Sequence, residues 1–377
     1  MTTTTRAASK KEEEPSSAAP ASEAKPGSKH KTEDEEVEPP SPKKAKQEDE
    51  NQSLDTEQVK EETNKPEKKQ ENGAPEDQPT KQEPPIKEPK DSAVQPQAHK
   101  DTPASILEKG IIYFFYRGRV NTDSPSSIND IARAFILLRP IAHDAKLSSG
   151  PIGDAGNSRL LLIPKKTLPR SGRDRWISFV EKSHASFAEL RDDFLASAEY
   201  STKTVGDRHT PAATPVGEGV YALTSTGGRQ SHLVYVLTLP GELGEVQEGM
   251  GLKARGSFIV STKNPEYGGP GPKGAEYPKE LLEEFRSLRW SPTQPKHLDY
   301  VNTQILMVGE SSGTEKALSP QKEDQEEGKA EPEEEMEELE EEDIKRMEGL
   351  SGDDSGRVFA DLQVHAEDYP KLQTTFK

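Results

Sequence analysis

Apolar residues in this chain start late and come in short, dense runs. Residues 1–99 hold almost no large apolar side chain and no aromatic one. Such a stretch buries too little surface to offset its ordering entropy, so residues 1–104 are expected to be a disordered Lys/Glu/Pro-rich arm. The pattern then changes. GIIYFFYRGRV (residues 110–120) sets six consecutive apolar or aromatic positions before Arg117, the mark of a buried strand. Ser124-Pro125-Ser126-Ser127 followed by Ile128-Asn129-Asp130 predicts a capped helical turn. It leads into ARAFILLRP, a second strand that Pro140 should stop.

Further along, a Gly/Ser/Asp/Pro stretch (143–158) reads as a loop, and RLLLIPKK and RWISFVEK read as strands. SFAELRDDFLAS places Phe187, Leu190, Phe194 and Leu195 at helical spacing. EGVYALTS and SHLVYVLTL, separated by Thr226-Gly227-Gly228-Arg229, predict a hairpin. RGSFIVSTKNP adds a strand, YPKELLEEFRSLRW a helix, and YVNTQILMVGE a last strand. Strands outnumber helices and follow one another directly. The expected fold class is therefore α+β: one mainly antiparallel, barrel-like sheet domain over 105–310, with two or three helices.

Residues 311–355 read as an acidic disordered tail. Within it, 333–350 put Met336, Leu339, Ile344, Met347 and Leu350 on one side of a helical wheel. In 356–377, Val358, Ala360, Leu362 and Val364 alternate as a strand would, so this segment pairs back onto the sheet or docks on a partner.

Charge sharpens this division. The formal net charge is −18, yet residues 101–310 carry 25 Lys+Arg against 24 Asp+Glu, so the excess lies in the flanks. With no Cys, disulfides, thiolate nucleophiles and Cys-containing zinc sites are excluded within the chain. No apolar run reaches the length of a membrane helix, and the first residues lack the apolar core of a secretory signal; a soluble, intracellular protein is expected, with no membrane contact.

Three places carry candidate chemistry. PPSPKKAK (39–46) has the form of a basic nuclear import signal in Lys43, Lys44 and Lys46. Ser41 and Ser319 precede proline as proline-directed kinase sites do, and Lys60 fits a SUMO-attachment pattern. The second place is a basic loop of Lys165, Lys166, Arg170, Arg173 and Arg175 beside Trp176, either a phosphate-binding surface for nucleic acid or a solvated loop. The third is GDRHTPAATPVGEGVY (206–221). Its prolines stiffen a path that presents Arg208 and His209, and Glu218 and Tyr221 follow, with His232 on the next strand. These five side chains form either a ligand or acid/base site or a structural corner in which Arg208 pairs with Glu218. No GxSxG, HExxH, P-loop or GxGxxG pattern occurs, and the histidines are scattered, so neither a metal site nor a cofactor is expected.

GIIYFFYRGRV, ILLRP, RWISFVE, GDRHTPAATPVGEGVY, HLVYVLTLP and GSFIVSTKNP together resemble a family of fungal proteins, with plant relatives, labelled "BTB domain transcription factor". The resemblance covers residues 105–310 and implies a nuclear setting; it brings no catalytic residue. The Phe-x-x-His-Lys-x-x-Leu block of the helical BTB module is absent, so the fold is taken from the strands. The expected function is that of a nuclear, non-enzymatic regulatory or scaffold protein. Its acidic tail would contact protein partners such as histones or other basic proteins, or offer its Met/Leu stripe to a coactivator-type groove. The alternatives are a small-ligand binder or enzyme at Arg208, His209 and Glu218, and nucleic-acid binding through the basic loop.

Overall fold

The computed structural model describes residues 93–96, 103, 105–203, 206–268, 273–322 and 330–376. The import lysines, Ser41 and Lys60 lie outside them, and of the arm expected over 1–104 the described residues 93–96 are ordered, Val94–Pro96 as a short strand paired with Ala145–Leu147. In chain order the strands are β1 (Val94–Pro96), β2 (Ile106–Gly118), β3 (Ile131–Ile141), β4 (Ala145–Leu147), β5 (Ser158–Ile163) and β6 (Arg175–Ala185). There follow β7 (Ala198–Thr202), β8 (Gly206–Thr210), β9 (Thr214–Thr226), β10 (Gln230–Leu239), β11 (Arg255–Lys263), β12 (Trp290–Pro292) and β13 (Gln304–Gly309). Eight of them close an antiparallel barrel in the order β2-β3-β5-β6-β13-β11-β10-β9, because β11 pairs with both β13 and β10 and β9 returns to β2. The α+β, barrel-like sheet expected from the strand runs is what the chain forms.

Why β2 reads as an unbroken apolar run follows from closure. Ile112 and Phe114 join Leu138, Leu161, Tyr235 and Phe258 in a cluster drawn from all eight strands, which is the barrel lumen. Ile111, Tyr113 and Phe115 point the other way, into a second core that covers the outside of the wall. The lumen is filled by side chains: the void bounded by Leu138, Tyr221, Leu233 and Val260 measures about 10 Å³, at the lower limit of what one water needs.

The outer core depends on helices. Phe187–Leu190 (α1) continues as a wider turn through Arg191–Leu195 and buries Phe187, Leu190, Phe194 and Leu195, as their spacing predicted. Glu245–Met250 (α2) and Lys279–Glu284 (α3) are short. Pro332–Glu348 (α4) is the amphipathic helix that the stripe over 333–350 suggested, packed on the barrel rather than lying within a disordered tail, and Asp354–Asp361 (α5) follows it. Met336, Leu339 and Met347 of α4 are 1–2% exposed against the wall. Each contributes roughly 1.5–3 kcal/mol by leaving water, so these three belong to this chain's own core, while Ile344 of the expected stripe is exposed and Leu350 partly buried. Its carboxylates are matched from the barrel: Glu335 meets Lys109 at 2.7 Å, Glu340 meets Arg255 at 2.5 Å, and Glu342 meets Lys146 at 3.0 Å. The segment after α4 is helical rather than a strand: Asp353 caps Gly356 N–H at 2.8 Å, and Val358, Phe359 and Leu362 fall at i, i+1 and i+4 on the buried side.

Pro140 does not end its strand as expected; β3 runs to Ile141, with Gly110 opposite Pro140. A Cβ at Gly110 would meet Arg139 O at 2.2 Å, so only glycine lets this proline-bearing strand approach. Gly219, on β9, does the same where a Cβ would stand 2.0 Å from Val236 O. Gly219→Ala should lower stability by about 1–3 kcal/mol, read as a reduced urea midpoint; an unchanged midpoint would show that the wall yields there.

Candidate functional site

The five candidate residues of the 206–232 region do not meet. Arg208 and His209 sit on β8, whose hairpin with β7 stands apart from the barrel wall. His209 Nε2 lies 2.8 Å from Asp123 Oδ1, and its backbone N–H donates to Asn121 Oδ1 at 2.8 Å. It borders two open surface clefts. One, of about 280 Å³, includes Tyr116, Asp123, Thr214, Asp368 and Tyr369; the other, of about 450 Å³, includes Glu199, Tyr200, Asp207 and Arg208. The expected Arg208–Glu218 pair is not formed.

Glu218 is instead fully buried on the outer side of β9, where it receives Arg346 of α4 at 3.1 Å. Arg346 is the hub of a cluster closed to solvent. Its Nε donates to Asp343 Oδ1 at 2.9 Å, and its Nη1 to Asp361 Oδ1 of α5 at 2.5 Å. Neutral donors supply the rest. Tyr113 O–H and Ile152 N–H reach Asp361, the latter at 2.7 Å, and Thr238 O–H reaches Asp343 at 2.7 Å. One guanidinium thus faces three carboxyls. Burial, then repulsion from Asp343, push the Glu218 carboxyl well above its ordinary range, with Arg346 only partly offsetting them. A side-chain hydrogen bond to Asp343, which favours the protonated form, pushes in the same direction.

Tyr221 and His232 each belong to another closed hub. Tyr221 O–H donates to Glu108 Oε1 at 2.8 Å inside the barrel, where Arg159 holds both Glu108 oxygens at 2.8 and 2.7 Å and Asp299 at 2.8 Å. Burial opposes the Arg159 charge, but Glu108 and Asp299 outweigh it and hold its pKa above the ordinary value. His232 Nδ1 lies 2.9 Å from Glu310 Oε2, which also accepts from Ser257 Oγ at 2.6 Å. Burial works against the Glu310 carboxylate; the His232 and Ser257 hydrogen bonds prevail and hold it below the usual range. The partners Arg346, Asp343, Asp361, Glu108 and Glu310 were not singled out by sequence reasoning, and Arg159, which the sequence groups with the basic residues before Trp176, is buried here instead. Their signal would have been a charged residue inside an otherwise apolar stripe, as at Asp343 and Arg346 beside Met347.

The basic loop is also divided. Lys166 Nζ donates to Asn129 Oδ1 at 2.6 Å, and Arg170 closes the carbonyl end of α2, donating to Glu248 O at 2.9 Å and Gly249 O at 2.5 Å. Lys165, Arg173 and Arg175 are exposed. Ser319 Oγ donates to Glu315 O at 2.7 Å. No helix among the described residues is long and apolar enough to cross a membrane, and no cluster of three or more His, Asp or Glu side chains with metal-site geometry occurs among them. Comparison with known protein families, curated proteins and solved structures found no match.

The Glu218 proton fixes a pH dependence. Folded Glu218 keeps it to higher pH than the unfolded chain does, so the folded state binds more protons and loses stability as pH rises above the ordinary glutamate range. Glu218→Gln removes that loss. The stability of the variant relative to the parent should increase between about pH 5 and about pH 8, by up to about 1.4 kcal/mol per pH unit. Urea unfolding at both values checks this, and a difference independent of pH would mean that Glu218 folds as a carboxylate.

Proposed function

We propose that this chain is a non-enzymatic, nuclear regulatory or scaffold protein whose barrel is a rigid platform for protein partners, in transcription or chromatin. The observation that carries the reading is how its chemistry is used. Glu218, Tyr221 and His232 serve buried hubs that hold the barrel and its helices together, which leaves recognition to the surface. On that surface α4 shows a mainly acidic ridge: Glu333, Glu334, Glu337, Glu341 and Glu348 are exposed, with Lys345 pairing Glu341 at 3.4 Å and Arg255 3.8 Å from Glu337. A fixed row of carboxylates on a docked helix suits basic partners such as histones, and needs no further ordering to bind them. The import signal at Lys43, Lys44 and Lys46 accounts for the compartment.

Removing α4 would expose the core, so the ridge is tested by neutralisation. Glu333→Gln, Glu337→Gln and Glu341→Gln together should leave the unfolding midpoint in place and weaken binding of purified core histones to the full chain by about tenfold at low salt. Equal histone binding by the neutralised chain would sink the ridge reading. In cells, Lys43→Ala, Lys44→Ala and Lys46→Ala should shift a fluorescent fusion from nucleus to cytoplasm, and unchanged nuclear signal would remove the compartment from the proposal.

A further inference from the structure

The outer face of the barrel is not covered evenly. Around β2, β3, β5, β9 and β10 it lies under α1, α4 and α5. Where β10 and β11 begin to leave α4, residues 311–318 take over: Thr224 O–H donates to Ala317 O at 2.8 Å and Ser257 O–H to Gly313 O at 2.7 Å. Beyond Ser257 the outward apolar residues of β6, β13, β11 and β12 join none of the apolar clusters among the described residues.

Strand register arranges those positions as a grid. Arg175 stands opposite Val308, which stands opposite Ile259. In the next row Ile177 faces Leu306, Leu306 faces Ser261, and Ser261 faces Pro292. In the third, Phe179 faces Gln304, and Lys263 faces Trp290, with Lys263 Nζ reaching Gln304 Oε1 at 3.1 Å. Their sheet neighbours Ser178, Val180, Ile305, Met307, Phe258 and Val260 point inward and are buried, so the grid residues point out. All remain partly or fully exposed, Ile177 at 38%. Seven of these eleven side chains are apolar. The two charged ones, Arg175 and Lys263, are both cationic and stand in the first and third rows; exposed Arg173 lies two residues before Arg175, and exposed Glu181 follows Phe179 on β6 outside the grid.

We infer that this four-stranded face is a docking surface for an acidic segment of another protein that carries apolar side chains. The reading rests on the domain being a protein-binding platform, and the charge pattern selects the partner. A contiguous apolar patch on a soluble domain marks an interaction site, and two cations in the grid with no carboxylate among its eleven residues favour carboxylates on the partner over basic groups. Nucleic acid fits less well. The middle of the face is aliphatic where single-stranded bases need aromatic planes, and residues 101–310 are close to neutral.

Trp290 provides the readout, since the chain has two tryptophans and Trp176→Phe leaves one. The probe is a synthetic peptide of about ten residues alternating Glu with Leu and Phe, long enough at about 3.3 Å per residue to cross the four strands. Added to the full Trp176→Phe chain, it should shift Trp290 emission and saturate, more weakly as salt rises. Arg175→Glu with Lys263→Glu should weaken binding about tenfold or more. Arg173→Glu, in the exposed loop, should weaken it in the same direction without touching the sheet, which keeps the test valid if the double variant unfolds. Three results overturn the inference: no emission change, equal binding by the charge-reversed variants, or tighter binding of a thymidine oligonucleotide than of the peptide. A Trp290 signal that tracks protein concentration alone also overturns it, by assigning the face to a second copy of this chain. Histone binding through the α4 ridge is untouched by Arg175→Glu, so this inference and the ridge reading fail separately.

Discussion

Arg346 is the buried charge, among the described residues, whose partners come from the wall and from both α4 and α5 that cover it. Taking a guanidinium out of water costs several kcal/mol unless partners surround it, and here they come from every layer. Glu218 is on the barrel wall, Asp343 on the same helix, Asp361 on the helix after it, and Tyr113, Ile152 and Thr238 complete the carboxyl groups. No subset suffices. If α5 were absent, Arg346 would lose Asp361, and if α4 were shifted by a turn, Glu218 would be buried with no cation. The Met336, Leu339 and Met347 contacts drive α4 onto the barrel without specifying its position, because apolar burial is non-directional. The hub fixes which residue of α4 lies over which residue of β9.

That requirement explains how function is partitioned. A closed eight-stranded wall leaves an interior just wide enough for side chains, and Ile112, Phe114, Tyr235 and Phe258 fill it. Ionisable groups that do enter the fold are tied off: Arg159 by Glu108 and Asp299, His232 by Glu310, Arg346 by three carboxyls. Groups so constrained resist the reorganisation that acid/base turnover needs. The surface, in contrast, is free to vary, and its two contrasting features lie on opposite ends of one strand. β11 begins at Arg255, which holds Glu340 of α4, and continues through Ile259 to Lys263 in the uncovered grid.

Much of the fold was legible because it is written locally. The six-residue run at Ile111–Tyr116, the Gly227-Gly228 turn and the Phe187/Leu190/Phe194 spacing each identify an element without reference to any other. What failed was long-range. Eleven carboxylates in residues 331–348 read as a solvated tail because their partners Lys109, Lys146 and Arg255 lie some 85 to 226 positions away. Glu218 invited a pair with Arg208, ten residues off, yet its partner is 128 residues away. The alternation of Val358, Ala360, Leu362 and Val364 outweighed the cap at Asp353, although four positions are too few to separate period 2 from a helix whose buried side includes Phe359.

The uncovered face was illegible for a related reason. Ile177, Leu306 and Ser261 come from three strands far apart in the chain, and only register makes them a row. Each strand alone looks ordinary, with one or two apolar residues on its solvent side, which needs no explanation on a monomer. Counting charge hides the feature as well, since 25 cations and 24 anions over residues 101–310 average to near zero. The average conceals a sorting: most paired carboxylates of α4 turn inward to cations on the wall, while Arg175 and Lys263 stand on the part of the wall that helix does not cover. Net charge therefore describes the solubility of this domain, while strand register decides where its unmatched charge sits beside unmatched apolar surface.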